Sequence, residues 1–180
     1  MAETIRVPST YVRAAFRGWL ARAYVSGIRL VVLEGLSQAG KSHLTERRFM
    51  IGGKRSTRIE VDRFLRRPVL PSVSYPDAVD RAALREAMEE ALASSTPIVV
   101  VEGPMAWPIV DPVPIGRYLV RRVYLKRMMR LRPEIWCDED RIDDEGRWPP
   151  GEYQRAIHQY HAEQRPWLDA DLVLERIDDQ

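Results

Sequence analysis

Hydrophobic positions along the chain follow two periods in turn. From Pro8 to Ser26 apolar side chains recur at mixed three- and four-residue spacing (Val12, Ala15, Phe16, Leu20, Tyr24). That spacing predicts an amphipathic helix, capped by Ser9 or Thr10 and ended by Gly27. Ile28–Glu34 is rich in branched residues and reads as a strand. A glycine-bearing loop comes next, then a helix from about Lys41 to Met50 that Gly52 and Gly53 break. Thr57–Val61 reads as a second strand, and the proline-bearing stretch Asp62–Ser74 as loop. Asp77–Ser94 places Ala83, Leu84, Ala87, Met88, Ala91 and Leu92 on one helical face. Pro97–Val101 is a continuous apolar run, the pattern of a strand covered on both faces.

The second half is less regular. Pro104–Pro114 is rich in proline, and Arg117–Leu125 alternates enough for a fourth strand. Lys126–Arg132 reads as a short helix stopped by Pro133, and the charged segment Glu134–Gly151 as a mobile loop. Glu152–Gln164 is a helix and Asp171–Leu174 a last short strand. Strands alternating with helices predict a three-layer α/β fold. Its core would be a five-stranded parallel sheet with helices on both faces. No repeat or domain-scale linker interrupts the pattern. Residues 1–180 therefore read as one domain, with an N-terminal helix within residues 1–27 and a lid and loop at 126–151.

Composition narrows the class of protein. The chain has 180 residues, 45% hydrophobic and 30% charged, a balance suited to a globular core and not to a disordered or fibrous chain. A net charge of +2 is too even to announce a nucleic-acid or membrane-surface partner. No stretch approaches the ~18 apolar residues that cross a bilayer, and Arg13, Arg17 and Arg22 interrupt any secretory signal. The single cysteine, Cys137, excludes an internal disulfide framework. The expected location is the cytoplasm.

Against this background Gly35-Leu-Ser-Gln-Ala-Gly-Lys-Ser42 stands out. It fits G-x-x-x-x-G-K-[ST] between a predicted strand and a predicted helix, the context of a phosphate-binding loop and a P-loop NTPase fold. The glycines let backbone N–H groups converge on one concavity, to which the next helix adds its positive end. Expected nucleotide contacts are Gly35, Ser37, Gln38, Ala39, Gly40, Lys41, Ser42 and His43. Lys41 would reach the β- and γ-phosphates of ATP, and the Ser42 hydroxyl would ligate Mg²⁺. The guanine reader Asn-Lys-x-Asp is missing, and the only Asp-x-x-Gly, Asp143–Gly146, lies in a charged loop; a GTPase is disfavoured.

Two carboxylates fall at the ends of predicted strands, where parallel sheets gather ligands: Asp62 and Glu102. Phosphoryl transfer needs a carboxylate near the acceptor hydroxyl and oxygen donors around the metal. Asp62 suits the first role and contributes to the second; Glu102 suits the second.

These pieces resemble, in order, the uridine kinase and phosphoribulokinase group of P-loop kinases. Asp62-Arg-Phe-Leu-Arg66 resembles the Asp-x-Phe-Tyr-Arg segment whose Asp is that group's catalytic base. Tyr75-Pro-Asp-Ala-Val-Asp80 is similar to its His-Pro-Asp-Ala-Phe-Asp segment, and Val100-Val-Glu-Gly103 to the strand ending in Glu-Gly beside the metal. Tyr160–Leu174 resembles its closing helix and strand. The resemblance implies an ATP- and Mg²⁺-dependent kinase acting on a small-molecule hydroxyl. Ser74 stands where that group has a ribose-holding Asp, Leu65 replaces a Tyr, and there is no room for the base-reading hairpin.

Kinases of this kind close an arginine-bearing lid over the phosphates, and arginine's planar fork suits that role. Arg127 and Arg130 are the candidates within Lys126–Arg132, with Arg141 and Arg147 in the adjoining segment. Arg66, Tyr75, Asp77 and Trp107 are candidate acceptor contacts; Asp77 is equally a helix cap. His158 and His161 lie three apart without further metal ligands nearby in sequence, and read as surface or core histidines. A nucleic-acid acceptor is disfavoured by the even charge, and a homodimer is left open. A nucleotide-binding regulator without phosphotransfer is the alternative, as is a kinase acting on an antibiotic, a nucleotide-sugar or a nucleic-acid end.

Overall fold

The computed structural model describes residues 3–45, 49–68, 70, 72–110, 119–131, 134–137 and 152–179. Its centre is a sheet of six parallel strands. In chain order these are β1 (Glu3–Pro8), β2 (Ile28–Glu34), β5 (Thr57–Glu60), β6 (Val99–Glu102), β7 (Leu119–Leu131) and β9 (Leu172–Asp179). They lie side by side as β1-β9-β7-β2-β6-β5. A further strand, β8 (Glu134–Cys137), pairs antiparallel with β7. The remaining strands, β3 (Met50–Ile51) and β4 (Lys54–Arg55), form a separate hairpin. The α/β class expected from the sequence is present, with six parallel strands where five were expected.

The sheet is covered on both faces. Helix α1 (Val12–Val25) buries Val12, Phe16, Trp19, Leu20 and Ala23 along one stripe. It shares a core with Ile28, Val31 and Leu33 of β2. On the other face α4 (Arg81–Ala93) buries Leu84, Met88 and Leu92 in a core that includes Leu30 and Val32. α5 (Ala106–Val110) and α6 (Glu152–Gln164) join that second core through Ile109 and Ile157. Leu30 to Leu33 are all fully buried. Each such side chain contributes about 1.5–3 kcal/mol relative to exposure, which makes β2 the stable base from which the phosphate loop leaves. Among the described residues no helix is long and apolar enough to cross a membrane.

Several elements depart from the sequence reading, each for a local or long-range reason. The chain ahead of α1 is a strand: Ile5 and Val7 alternate toward the core while their neighbours face out, and β1 pairs with β9. Tyr11, not Ser9 or Thr10, occupies the helix cap. The helix after the phosphate loop, α2, is described over Lys41–Thr45, and Met50, expected to end it, lies in β3. Gly52 and Gly53 do not break the helix but turn the β3–β4 hairpin, both at positive φ as a tight two-residue turn requires. The helix expected over Asp77–Ser94 is divided into α3 (Tyr75–Ala78) and α4. Val79 turns extended to bridge Leu65, and Asp80 caps α4 by accepting from the N–H of Ala82 and Ala83.

The largest correction is at Lys126–Leu131, expected as a lid helix. It continues β7, because β9 runs alongside it to Asp179. The two strands set basic against acidic side chains, and Arg127 donates to Asp178 at 2.8 Å. The rest of the expected lid, including Arg132, Arg141, Arg147 and Asp143–Gly146, lies outside the described residues apart from β8.

Candidate active site

Residues 35–40 leave β2 through backbone conformations that only particular residues tolerate. Gly35 has φ +152°, and a Cβ there would stand 2.4 Å from the Leu125 carbonyl oxygen of β7. Gly40 has φ +102°, and its Cβ would meet the Arg176 guanidinium at 2.2 Å. Gly35 is required by close approach to backbone as well as by φ, and Gly40 by its φ, since the guanidinium end of Arg176 can move aside. Gln38 also takes a left-handed φ of 68°. Arg176, on β9, holds the outside of the loop by donating to the Ala39 carbonyl at 3.3 Å, while Asp178 orients it.

Inside the loop the Lys41 ammonium folds back onto the carbonyls of Gly35 and Leu36 at 2.7 and 2.8 Å. Its charge is thereby kept within the hollow the loop surrounds. Ser42, in the first turn of α2, donates its hydroxyl to Glu102 Oε1 at 3.2 Å. Thr45, one turn on, donates to Glu102 Oε2 at 3.1 Å. Glu102 ends β6 and is 4% exposed. Arg58, on β5, also binds Glu102 Oε1, through Nε at 2.9 Å and through Nη2. The same Nη2 lies 3.0 Å from Glu60.

Asp62 follows β5 in a single 3₁₀ turn (Val61–Phe64). Tyr75 reaches it from α3 and donates its phenol to Oδ1 at 2.6 Å. Burial, then the negative Asp62, pushes the Tyr75 phenol well above its ordinary value, so it remains a donor. Tyr153 of α6 packs edge-on to Tyr75, with ring centroids 5.1 Å apart. Burial and Asp62 push the Tyr153 phenol up to about 12.

Lys41, Ser42, Glu60, Asp62, Glu102 and Tyr153 line one cavity of about 360 Å³. The phosphate loop and α2 form one wall, with Ser37, Gln38, Gly40, Lys41 and Ser42. Glu60, Asp62 and Glu102 come from strand ends, and Tyr153, Gln154 and Ile157 close the cavity from α6. Ser42 and Glu102 bring oxygen donors together at the end of the sheet. That is the donor chemistry of Mg²⁺, which takes one or two protein oxygens and completes its shell with phosphate and water. Among the described residues no three His, Cys, Asp or Glu side chains converge as a closed metal cage.

The remaining expected site residues lie elsewhere. His43 is exposed and faces α1, where Arg13 donates to its carbonyl at 2.8 Å. Arg66 is exposed, and its backbone N–H binds Ala78. Asp77 is exposed in the first turn of α3 and accepts from Ser74 at 2.5 Å. Trp107 donates its backbone N–H to Glu34 at 2.9 Å and stacks beneath Arg122, 4.4 Å from the ring centroid. Arg127 is paired with Asp178 and does not line the cavity. The backbone of Arg130 lies in β7 opposite Ile135 and Asp179.

Sequence reasoning passed over Arg58, Glu60, Tyr153, Gln154 and Arg176. Arg58 and Glu60 carried a signal: they alternate with the apolar Ile59 and Val61, which puts two charges on one face of a strand. It also passed over a buried support behind the loop. Glu34 is 2% exposed; burial pushes its carboxyl up, while Trp107 N–H, Tyr160 at 3.0 Å and Arg122 at 3.7 Å satisfy it. His161, fully buried, donates Nε2–H to the Pro104 carbonyl and receives Tyr124 O–H at Nδ1, each at 2.7 Å. Burial lowers its pKa to about 3, so it is neutral and pins the segment that follows Glu102.

The strand order and the loop position define a three-layer α/β fold in which a glycine-bearing loop leaves a central strand of a parallel sheet. Comparison with models of known protein families found no match. Comparison with curated protein sequences also found none. Among solved structures the chain is similar to one described as a possible uridine kinase from Bacillus stearothermophilus. The TM-score is 0.53 and the identity 14%, over 89% of this chain and 98% of the other. At that identity the likeness concerns the fold.

Proposed function

We propose that this protein is a kinase that transfers the γ-phosphoryl group of ATP to a hydroxyl of a small molecule, with Mg²⁺ as cofactor. The observation that carries the reading is Asp62, oriented by Tyr75 at 2.6 Å, on the same cavity as Lys41 and Ser42. A module that only binds nucleotide has no use for an oriented carboxylate opposite its phosphate loop.

In this reading the backbone N–H groups of residues 35–42 and the Lys41 ammonium hold the β- and γ-phosphates. Lys41 exchanges its two loop carbonyls for phosphate oxygens. Ser42 supplies a direct metal ligand, and Glu102 and Asp62 supply further oxygens around it. Held by these oxygens, Mg²⁺ would supply positive charge against the charge that builds up in transfer. Asp62 accepts the proton of the acceptor hydroxyl, and Tyr75 holds Asp62 in the orientation that this needs. Tyr153 and Gln154 flank the acceptor. Catalysis then rests mainly on positioning and on charge stabilisation. The chain works as one kinase domain in the cytoplasm, without a nucleic-acid or membrane partner.

ADP release from Mg·ATP across nucleosides, sugars, sugar phosphates, pantothenate and aminoglycosides tests the proposal. Stimulation by one class is the expected result and names the acceptor. A flat panel with ATP bound would favour a nucleotide-dependent regulator.

A further inference from the structure

The Glu102 carboxylate is already engaged by the protein at both oxygens. Ser42 and Arg58 donate to Oε1, and Thr45 donates to Oε2. The arginine shares with Ser42 the oxygen that faces the phosphate loop. A buried ion pair is not stabilising by default, because desolvation offsets much of the attraction. Its place beside the Ser42 hydroxyl therefore asks for another account.

Arg58 also touches a second carboxylate. Its Nη2 lies 3.0 Å from Glu60 Oε1, and Arg63 donates to the same Glu60 oxygen at 2.8 Å. Glu60 lines the catalytic cavity and also a second hollow of about 470 Å³ outside it. Arg58 and Arg63 line that outer hollow and not the inner one. So Arg58 has a partner in each position and room on the far side of Glu60.

We infer that Arg58 is an exchangeable counter-ion of Glu102: it holds the carboxylate in the nucleotide-free protein and moves onto Glu60 when Mg·nucleotide binds. The inference rests on the kinase reading, because it takes Ser42 and Glu102 as the metal-side oxygens. A dication at Ser42 and a guanidinium on Glu102 Oε1 repel each other at short range in a partly desolvated place. The two compete for one carboxylate. Arg58 thereby weakens free-metal binding and couples metal entry to the nucleotide phosphates, whose negative charge tips the exchange. Glu60 is the positioning residue that makes the exchange cheap.

The test is the Mg²⁺ dependence of ADP binding, followed by calorimetry, in the wild type, Arg58→Gln and Glu60→Gln. Couplings between sites commonly span 5–150-fold, so Arg58→Gln should lower the Mg²⁺ needed for half-maximal binding by roughly tenfold. Glu60→Gln should raise it, because Arg58 then has no second carboxylate. Thermal unfolding supplies a second readout. Without metal, Arg58→Gln should melt below the wild type, since Glu102 is left without its counter-charge. Mg·ADP should then raise its melting temperature by more than it raises that of the wild type.

A merely structural salt bridge would lower the melting temperature and leave the Mg²⁺ requirement unchanged, and that result overturns the inference. If Arg58→Gln does not fold, Glu60→Gln decides alone: an unchanged or lowered Mg²⁺ requirement is contrary to the exchange. Failure of the wild type to bind Mg·ADP would instead overturn the kinase reading, and this inference with it.

Discussion

Gly35→Ala places one methyl group where the fold leaves no room. Its carbon would stand 2.4 Å from the Leu125 carbonyl oxygen, about 1 Å inside ordinary contact, and 3.5 Å from the Ala39 Cβ. Leu125 is fully buried and lies opposite Leu174 of β9, so its carbonyl retreats only if β7 leaves its ladder. Overpacking of this kind costs about 1–3 kcal/mol. The φ of +152° at Gly35 is a second cost for an L-residue, again about 1–3 kcal/mol. Together these come to about 2–6 kcal/mol. In a chain of this length each kcal/mol moves the melting temperature by roughly 2–4 °C, so Gly35→Ala should melt about 4–24 °C below the wild type. Thermal unfolding by circular dichroism reads this directly. Gly18→Ala serves as the control of opposite sign. Gly18 is inside α1, exposed, with nothing within 4 Å of an added Cβ. That change should stabilise by about 0.5–1 kcal/mol. Equal melting temperatures for Gly35→Ala and the wild type would refute the claim that β7 and the loop are in enforced contact.

The other predictions concern the site and its support. Tyr75→Phe removes the 2.6 Å hydrogen bond to Asp62. Bonds to charged groups are worth about 1.5–3 kcal/mol, so kcat should fall roughly ten- to a hundredfold while the KM for ATP is unchanged. A parallel rise in that KM would assign Tyr75 to nucleotide binding instead. His161 is held near pKa 3 in the folded chain, below its unfolded value of about 6.5. Between those values the unfolded chain binds the extra proton, so stability falls as pH falls through this window. The slope approaches about 1.4 kcal/mol per pH unit. His161→Gln should lack that component: its stability gap from the wild type should narrow as pH falls from 6 to 4. An unchanged gap in denaturant titrations would refute the neutral, buried histidine.

Much of the central architecture was legible because local chemistry dictates it. The glycines at 35 and 40 fit a single purpose, and the branched runs at Ile28–Glu34 and Val99–Glu102 have no other place than a covered strand. What escaped depends on partners distant in sequence. Lys126–Leu131 has residues compatible with a helix; it is a strand because the acidic β9 lies beside it, as Arg127 and Asp178 show across 51 positions. The division of α3 from α4 likewise depends on Val79 meeting Leu65. At the site, Asp62, Lys41, Ser42 and Glu102 were named from spacing. Arg58 escaped because its pairing with Glu102 crosses from one strand to the next, a relation that no local pattern carries.

The reading depends most on Asp62. With an acceptor that stimulates ADP release, Asp62→Asn and the wild type should be compared for kcat and for ATP affinity. Removing a general base typically costs 10²–10⁴ in rate, so kcat should drop by about that factor with ATP affinity within about twofold of the wild type. An Asp62→Asn protein that turns over at the wild-type rate would contradict the account.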